Sequence, residues 1–224
     1  MALGEASKTR VGLLKVGPDW NARPEALRRL MWETQKRTSI EVAGDASKVV
    51  VGEAMFETPL LVWRGENAFA PLGENERALL SRYLRFGGLI WVDAANPKCG
   101  FVKSIERELD AILPNAKAEA LSPEHVLYKS FFLLDHAYGR HDDDVKVLGV
   151  NVNERAALLM TFCDVLGAYE RDKIGTWRFE CTPGGQRQRE RALRFGVNVL
   201  MYATCLDYKA DQVHIPFIMK KKRR

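Results

Sequence analysis

Short, uninterrupted apolar runs alternate with longer stretches of helical period along the first half of the chain. Residues 9–16 (TRVGLLKV) form one such run and stop at Gly17-Pro18, which predicts a buried strand closed by a turn. Over residues 24–37, Leu27, Leu30, Met31 and Thr34 recur at spacings of three and four, with Arg28, Arg29, Glu33 and Lys36 opposite. That spacing predicts a helix with Asn21 in its cap region and Pro24 in its first turn. Short strands are expected at 40–42 and 48–51. Residues 59–63 (PLLVW) form a second strongly apolar strand, ending at Arg64-Gly65-Glu66-Asn67. The next helix spans 74–86, with Leu79, Leu80, Tyr83 and Leu84 inward and Gly87-Gly88 as its stop. Residues 88–92 (GLIWV), closed by Asp93, make a third apolar strand, and 101–113 a third helix with Phe101, Ile105, Leu109 and Ile112 on one stripe.

The second half is less regular. Residues 115–138 show no clear period. Residues 145–152 and 156–163 read as two strands joined at Asn153-Glu154, in the manner of a hairpin. Residues 188–206 read as a last helix with Ala192, Phe195, Val199 and Tyr202 on one stripe. Apolar residues alternate over 211–219, which predicts a segment lying along the sheet. Strands that are apolar throughout are buried on both faces and belong to parallel sheets covered by helices. The expected architecture is therefore a doubly wound, mostly parallel α/β sheet with helices on both faces. It forms one domain over 9–219, between a flexible start at 1–8 and a basic tail at 220–224.

Composition narrows the function classes. Hydrophobic residues make up 46% of the 224 and charged residues 28%, enough for a packed core and against wholesale disorder. The net charge is +5, and the last five residues are all basic, so the remaining 29 Lys and Arg balance 29 Asp and Glu. The basic character belongs to the tail, which suits a solvated end or contact with an acidic face or an anionic membrane surface. With no RNA-recognition or zinc-finger pattern elsewhere, a specific nucleic-acid partner is not expected. No apolar run reaches the roughly 18–20 residues of a membrane span, and residues 1–10 hold no signal-peptide core. The four cysteines, Cys99, Cys163, Cys181 and Cys205, include no C-x-x-C pair. That argues against a zinc ribbon or redox motif; their number permits two bridges, and free thiols are the simpler reading.

Ligands of open parallel sheets bind outside the carboxyl ends of the strands. That rule selects three loops: 17–21 with Asp19 and Trp20, 63–67 with Arg64, Glu66 and Asn67, and 93–96 with Asp93. These residues are expected to converge on one polar crevice, with Arg64 as anion anchor and a carboxylate as acceptor or base. The competing reading makes them helix caps and charge partners of one another. No G-x-G-x-x-G or P-loop sequence is present, so no cofactor is expected, and without a G-x-S-x-G elbow hydrolase chemistry of that kind is not expected either. Cys99, before the third helix beside Lys98, is the best thiol, with His125 or His136 as conceivable bases, but an ordinary loop thiol is the simpler account. His136, His141 and Asp142 to Asp144 form a polar cluster better read as a solvated loop than as a metal site. His125 and His214 stand alone.

Several landmarks together resemble the bacterial family called domain of unknown function 4159. They are Asp19-Trp20 after the first strand, residues 84–93 (LRFGGLIWVD), residues 122–128 (SPEHVLY), and a closing stretch from Phe195-Gly196-Val197-Asn198-Val199 through Tyr202 to His214-Ile215-Pro216-Phe217-Ile218 and the basic end. The resemblance implies a class I glutamine amidotransferase-like, flavodoxin-type fold. It implies no established activity. Members are often exported to the periplasm, and their genes often neighbour those of MoxR-type ATPases and von Willebrand factor A-type proteins, which implies protein partners in an envelope assembly. Amidotransferases of this fold carry a cysteine on the turn after the strand matching 88–92 and a late His-x-Glu pair. This sequence has Asp93-Ala94-Ala95 and His214-Ile215-Pro216 there, so glutaminase activity is not expected. Two functions follow as expectations. One is a non-catalytic module binding a protein or small polar ligand through Asp19, Trp20, Arg64, Glu66, Asn67 and Asp93. The other is a hydrolase acting on a small polar or sugar-like substrate through Asp93 or Glu66, with a metal as an optional aid.

Overall fold

A computed structural model describes residues 8–142 and 145–221, with side chains as far as Thr204. The order is β1 (Val11–Leu14), α1 (Ala26–Arg37), β2 (Ser47–Val49), β3 (Leu60–Gly65), α2 (Glu74–Arg85), β4 (Leu89–Ala94), α3 (Gly100–Ile112), β5 (Ala118–Ala120), β6 (Leu148–Val152), β7 (Arg155–Thr161) and α4 (Gly185–Lys221). Among the described residues the strands form one sheet in the order β2-β1-β3-β4-β7-β6-β5. β2, β1, β3, β4 and β7 are mutually parallel, while β6 runs antiparallel to β7 and β5 antiparallel to β6. The molecule is thus an α/β fold with a mostly parallel sheet.

The continuous apolar runs have the predicted consequence. Every residue of β1, β3 and β4 is buried, because helices cover the sheet on both sides. Leu60, Val62, Leu89, Trp91 and Leu159 pack with α1 and α4. Leu61, Trp63, Ile90, Val92 and Met160 pack with α2 and α3. The period of two along each strand then puts Arg64, Asp93 and Thr161 on the α1/α4 side, at the carboxyl edge. The register aligns them: Arg64 pairs across β3/β4 with Asp93, and Asp93 across β4/β7 with Thr161.

The hairpin expected at Asn153-Glu154 joins β6 to β7, and both residues have positive φ, 51° and 65°, as a two-residue type I′ turn requires. Other expectations need correction. The strand expected at 40–42 is reduced to a single bridge between Thr9 and Val42. The irregular segment 115–138 contains β5 and a short 3-10 turn at Val126–Lys129. The segment 211–219 does not lie along the sheet: α4 runs on through it. No glycine or asparagine stands between Leu206 and Val213 to stop a helix, and the alternating residues also include the i,i+4 pair Val213 and Phe217. The start at 1–8, apart from Lys8, and the tail at 222–224 lie outside the described residues, as do the side chains of Lys220 and Lys221.

Candidate functional site

The chain passes from β1 to β2 on one side and reaches β3 on the other, so the sheet has its switch point between β1 and β3. Gly17, with φ of +91°, turns the chain after β1 and delivers Asp19 to that point. Arg64 emerges from β3 opposite it and is 1% exposed. Its Nη1 donates to the Asp19 carbonyl at 3.1 Å and to Asp19 Oδ2 at 3.3 Å. The same Oδ2 accepts the backbone N–H groups of Glu66 at 2.7 Å and Asn67 at 3.4 Å. At Gly65 a Cβ would lie 2.2 Å from the Phe101 ring, so only glycine lets β3 pass α3 before this turn.

The remaining edge of the Arg64 guanidinium has no protein acceptor. Nε and Nη2 are buried and have no hydrogen-bond acceptor. Nη2 lies 4.0 Å from both Glu66 Oε2 and Asp164 Oδ1, too far for a hydrogen bond. Nε–H and one Nη2–H point the same way and form the fork by which arginine holds a two-oxygen acceptor.

The other expected residues take different places. Glu66 and Asn67 contribute backbone donors to Asp19, and their side chains are exposed. Trp20 is half-buried against the α1/α4 core, with Lys15 Nζ 5.4 Å from its ring centre. Asp93 lies under the site, not at its rim. It is fully buried, and its carboxylate accepts from Thr161 Oγ1 (2.8 Å) and the N–H groups of Val165 (3.0 Å) and Leu166 (2.9 Å). Thr161 Oγ1 in turn accepts from Trp91 Nε1 at 3.0 Å. Burial, reinforced by the Asp164 charge, pushes the Asp93 carboxyl up to about 6.

Sequence reasoning missed Asp164, Arg23 and Arg140. Asp164 is fully buried, with φ of 49°. It accepts from Arg23 Nη2 at 3.0 Å and the Gly167 N–H at 3.1 Å, and pairs with Arg140 Nε at 2.8 Å. A Cβ on Gly167 would lie 2.2 Å from Asp164 Oδ2. The guanidinium groups of Arg23, Arg140 and Arg178 gather over the Phe179 ring at 4.2, 5.0 and 5.4 Å. The signal for Asp164 was present: it follows the apolar end of β7, as Asp19 and Asp93 follow or end theirs. Reading β7 only as a hairpin strand hid its parallel pairing with β4.

The site is therefore a cluster of arginine donors around two carboxylates, Asp19 and Asp164. Cys99 precedes α3 and, like Cys163 and Cys181, is buried; Cys181 lies close enough to feel the Arg140 and Asp164 charges, and the side chain of Cys205 lies outside the described residues. His125 Nδ1 accepts the Leu127 N–H at 3.2 Å and its ring packs on Tyr202. His136 Nδ1 is bound to the Ala137 carbonyl, and Arg140 Nη2 reaches His141 Nε2; Asp143 and Asp144 lie outside the described residues. No group of three His, Cys, Asp or Glu side chains among the described residues could hold a metal ion.

No curated protein matches this sequence. Residues 9–204 match the family described as Domain of unknown function (DUF4159), and the chain belongs to that family.

Proposed function

We propose that this chain is a binding module that takes a small carboxylate-bearing ligand in the crevice between β1 and β3. The observation that carries the reading is that Nε and Nη2 of Arg64, a side chain 1% exposed and fixed from the other side by Asp19, are buried donors with no protein acceptor. Arginine held in one orientation with a free fork favours planar two-oxygen acceptors over point charges. Arg23 and Arg140, paired with Asp164, add positive potential beside it. The order β2-β1-β3-β4-β7 supports a flavodoxin-type, amidotransferase-like scaffold, and Asp93-Ala94 at the end of β4 supports its being non-catalytic. The hydrolase reading has less support, because both Asp93 oxygens are taken up by internal hydrogen bonds and Glu66 is more than half exposed. A protein partner of the envelope-assembly kind belongs to the same proposal. Its support is the run of exposed apolar side chains Val126, Phe131 and Leu133.

Calorimetric titration with succinate tests the ligand reading. The protein is expected to bind it with one site, and Arg64→Lys, which keeps the charge and loses the fork, to weaken binding by about tenfold or more. No binding, or equal binding by the variant, overturns the proposal.

A further inference from the structure

A concavity lies apart from the Asp19/Arg64 site, between α1 and the loop over residues 170–180. Its volume is about 450 Å³, within the range of small-molecule sites. Its walls carry Arg28, Arg29, Arg171 and Lys173 against two acids, Glu25 and Asp172. Glu25 pairs with Arg28 within the cleft, which leaves Arg29, Arg171 and Lys173 against Asp172, whose Oδ1 accepts the N–H groups of Ile174 at 3.0 Å and Thr176 at 2.8 Å. The loop is closed on itself by the bridge between Arg171 and Trp177.

Positive charge is concentrated there. Arg171, Arg189 and Arg29 lie 4.0, 4.4 and 5.5 Å from the Trp177 ring centre, and Arg29 also stacks on Trp32 at 4.3 Å. One carboxylate, Glu33, pairs with these three guanidinium groups among the described residues, through Arg29, and it is shared with Arg37. The Nε atoms of Arg29 and Arg171 are buried without an acceptor. Arg171 and Lys173 have no carboxylate within ion-pair distance among the described residues. Like charges held this close repel, and a bound anion would relieve the repulsion.

We infer that this cleft is a binding site for a small phosphoryl anion. A phosphoryl group presents several charged oxygens to guanidinium and ammonium donors together, which a single carboxylate does not. Trp32, 46% exposed at the wall, offers apolar surface to the organic part of such a ligand. The site shares no residue with Asp19, Arg64 or Asp164, so it stands apart from the crevice.

Titration with inorganic pyrophosphate, followed by tryptophan fluorescence and calorimetry, tests the inference. Saturable binding that weakens with added salt is expected. Lys173→Gln and Arg171→Gln should each weaken it by about tenfold, while Arg64→Lys leaves it unchanged. Lys173 is exposed, so its variant keeps the test valid if Arg171→Gln fails to fold. Absence of pyrophosphate binding, indifference to both cleft variants, or loss with Arg64→Lys overturns the inference. Co-sedimentation with phosphatidylcholine vesicles containing phosphatidic acid, without pyrophosphate binding in solution, also overturns it, by assigning the charge to a lipid surface.

Discussion

The Asp19 carboxylate accepts the Glu66 backbone N–H at 2.7 Å and so ties the loop after β1 to the loop after β3. The same oxygen holds Arg64 Nη1, which fixes the orientation of the guanidinium from one side. Asp19→Ala removes both contacts and leaves the Glu66 and Asn67 amides unbound. Hydrogen exchange at Glu66 is expected to accelerate by about tenfold, with a stability loss of about 1 kcal/mol. Unchanged exchange at Glu66 would show that the two loops are joined by other means.

Asp164 gathers Arg23, Arg140 and, at longer range, Arg64. Neutralising it by Asp164→Asn keeps the shape and leaves Arg23 and Arg140 without their buried counter-charge. Removing one partner of a buried ion pair is strongly destabilising, so urea denaturation should show a loss of about 3 kcal/mol. A loss below about 1 kcal/mol would contradict the central place given to this carboxylate.

Thr161 links the core to the site: its hydroxyl donates to Asp93 and accepts from Trp91 Nε1. Thr161→Val conserves volume but leaves a buried indole N–H without an acceptor. The expected cost is about 2 kcal/mol, with an altered near-ultraviolet signal from Trp91. A variant as stable as the wild type would mean that water or a shifted neighbour replaces the hydroxyl.

Asp93 gives a pH dependence of defined sign. Its carboxyl is raised from 3.8 to about 6 in the folded protein, so between those values the folded state holds the proton more firmly than the unfolded one. Its contribution to stability is full at the acid end of that window and is lost as pH rises through about 6. Asp93→Asn lacks this dependence. The stability of the wild type relative to the variant should therefore fall as pH rises across the window, as measured by denaturation at a series of pH values. A constant or rising difference contradicts the assignment.

The apolar strands were legible because burial on both faces leaves an unbroken run, as in 59–63 and 88–92. Asp19 and Arg64 were legible for the same reason: they follow such runs at the carboxyl edge. The depth of Asp93 was not, since it depends on Thr161 at the end of β7 and Val165 in the turn after it, 68 and 72 residues later. Trp63 faces the α2/α3 core and not the crevice, a consequence of strand alternation that fixing one face of β3 would have given. β5 (Ala118–Ala120) was hidden because Ala-Glu-Ala has neither β-branching nor an apolar run, and all three residues are exposed. The arginines over Phe179 come from segments far apart in the chain, and no local pattern marks their meeting.

The central claim is that the Nε/Nη2 edge of Arg64 is open to a two-oxygen ligand. The most direct measurement is the ¹H–¹⁵N resonance of Arg64 Nε during titration with succinate, assigned by its loss in Arg64→Lys. A saturable downfield shift of the Nε proton, matching the calorimetric affinity, is the predicted result. An Arg64 Nε resonance that stays fixed through the titration would contradict the account.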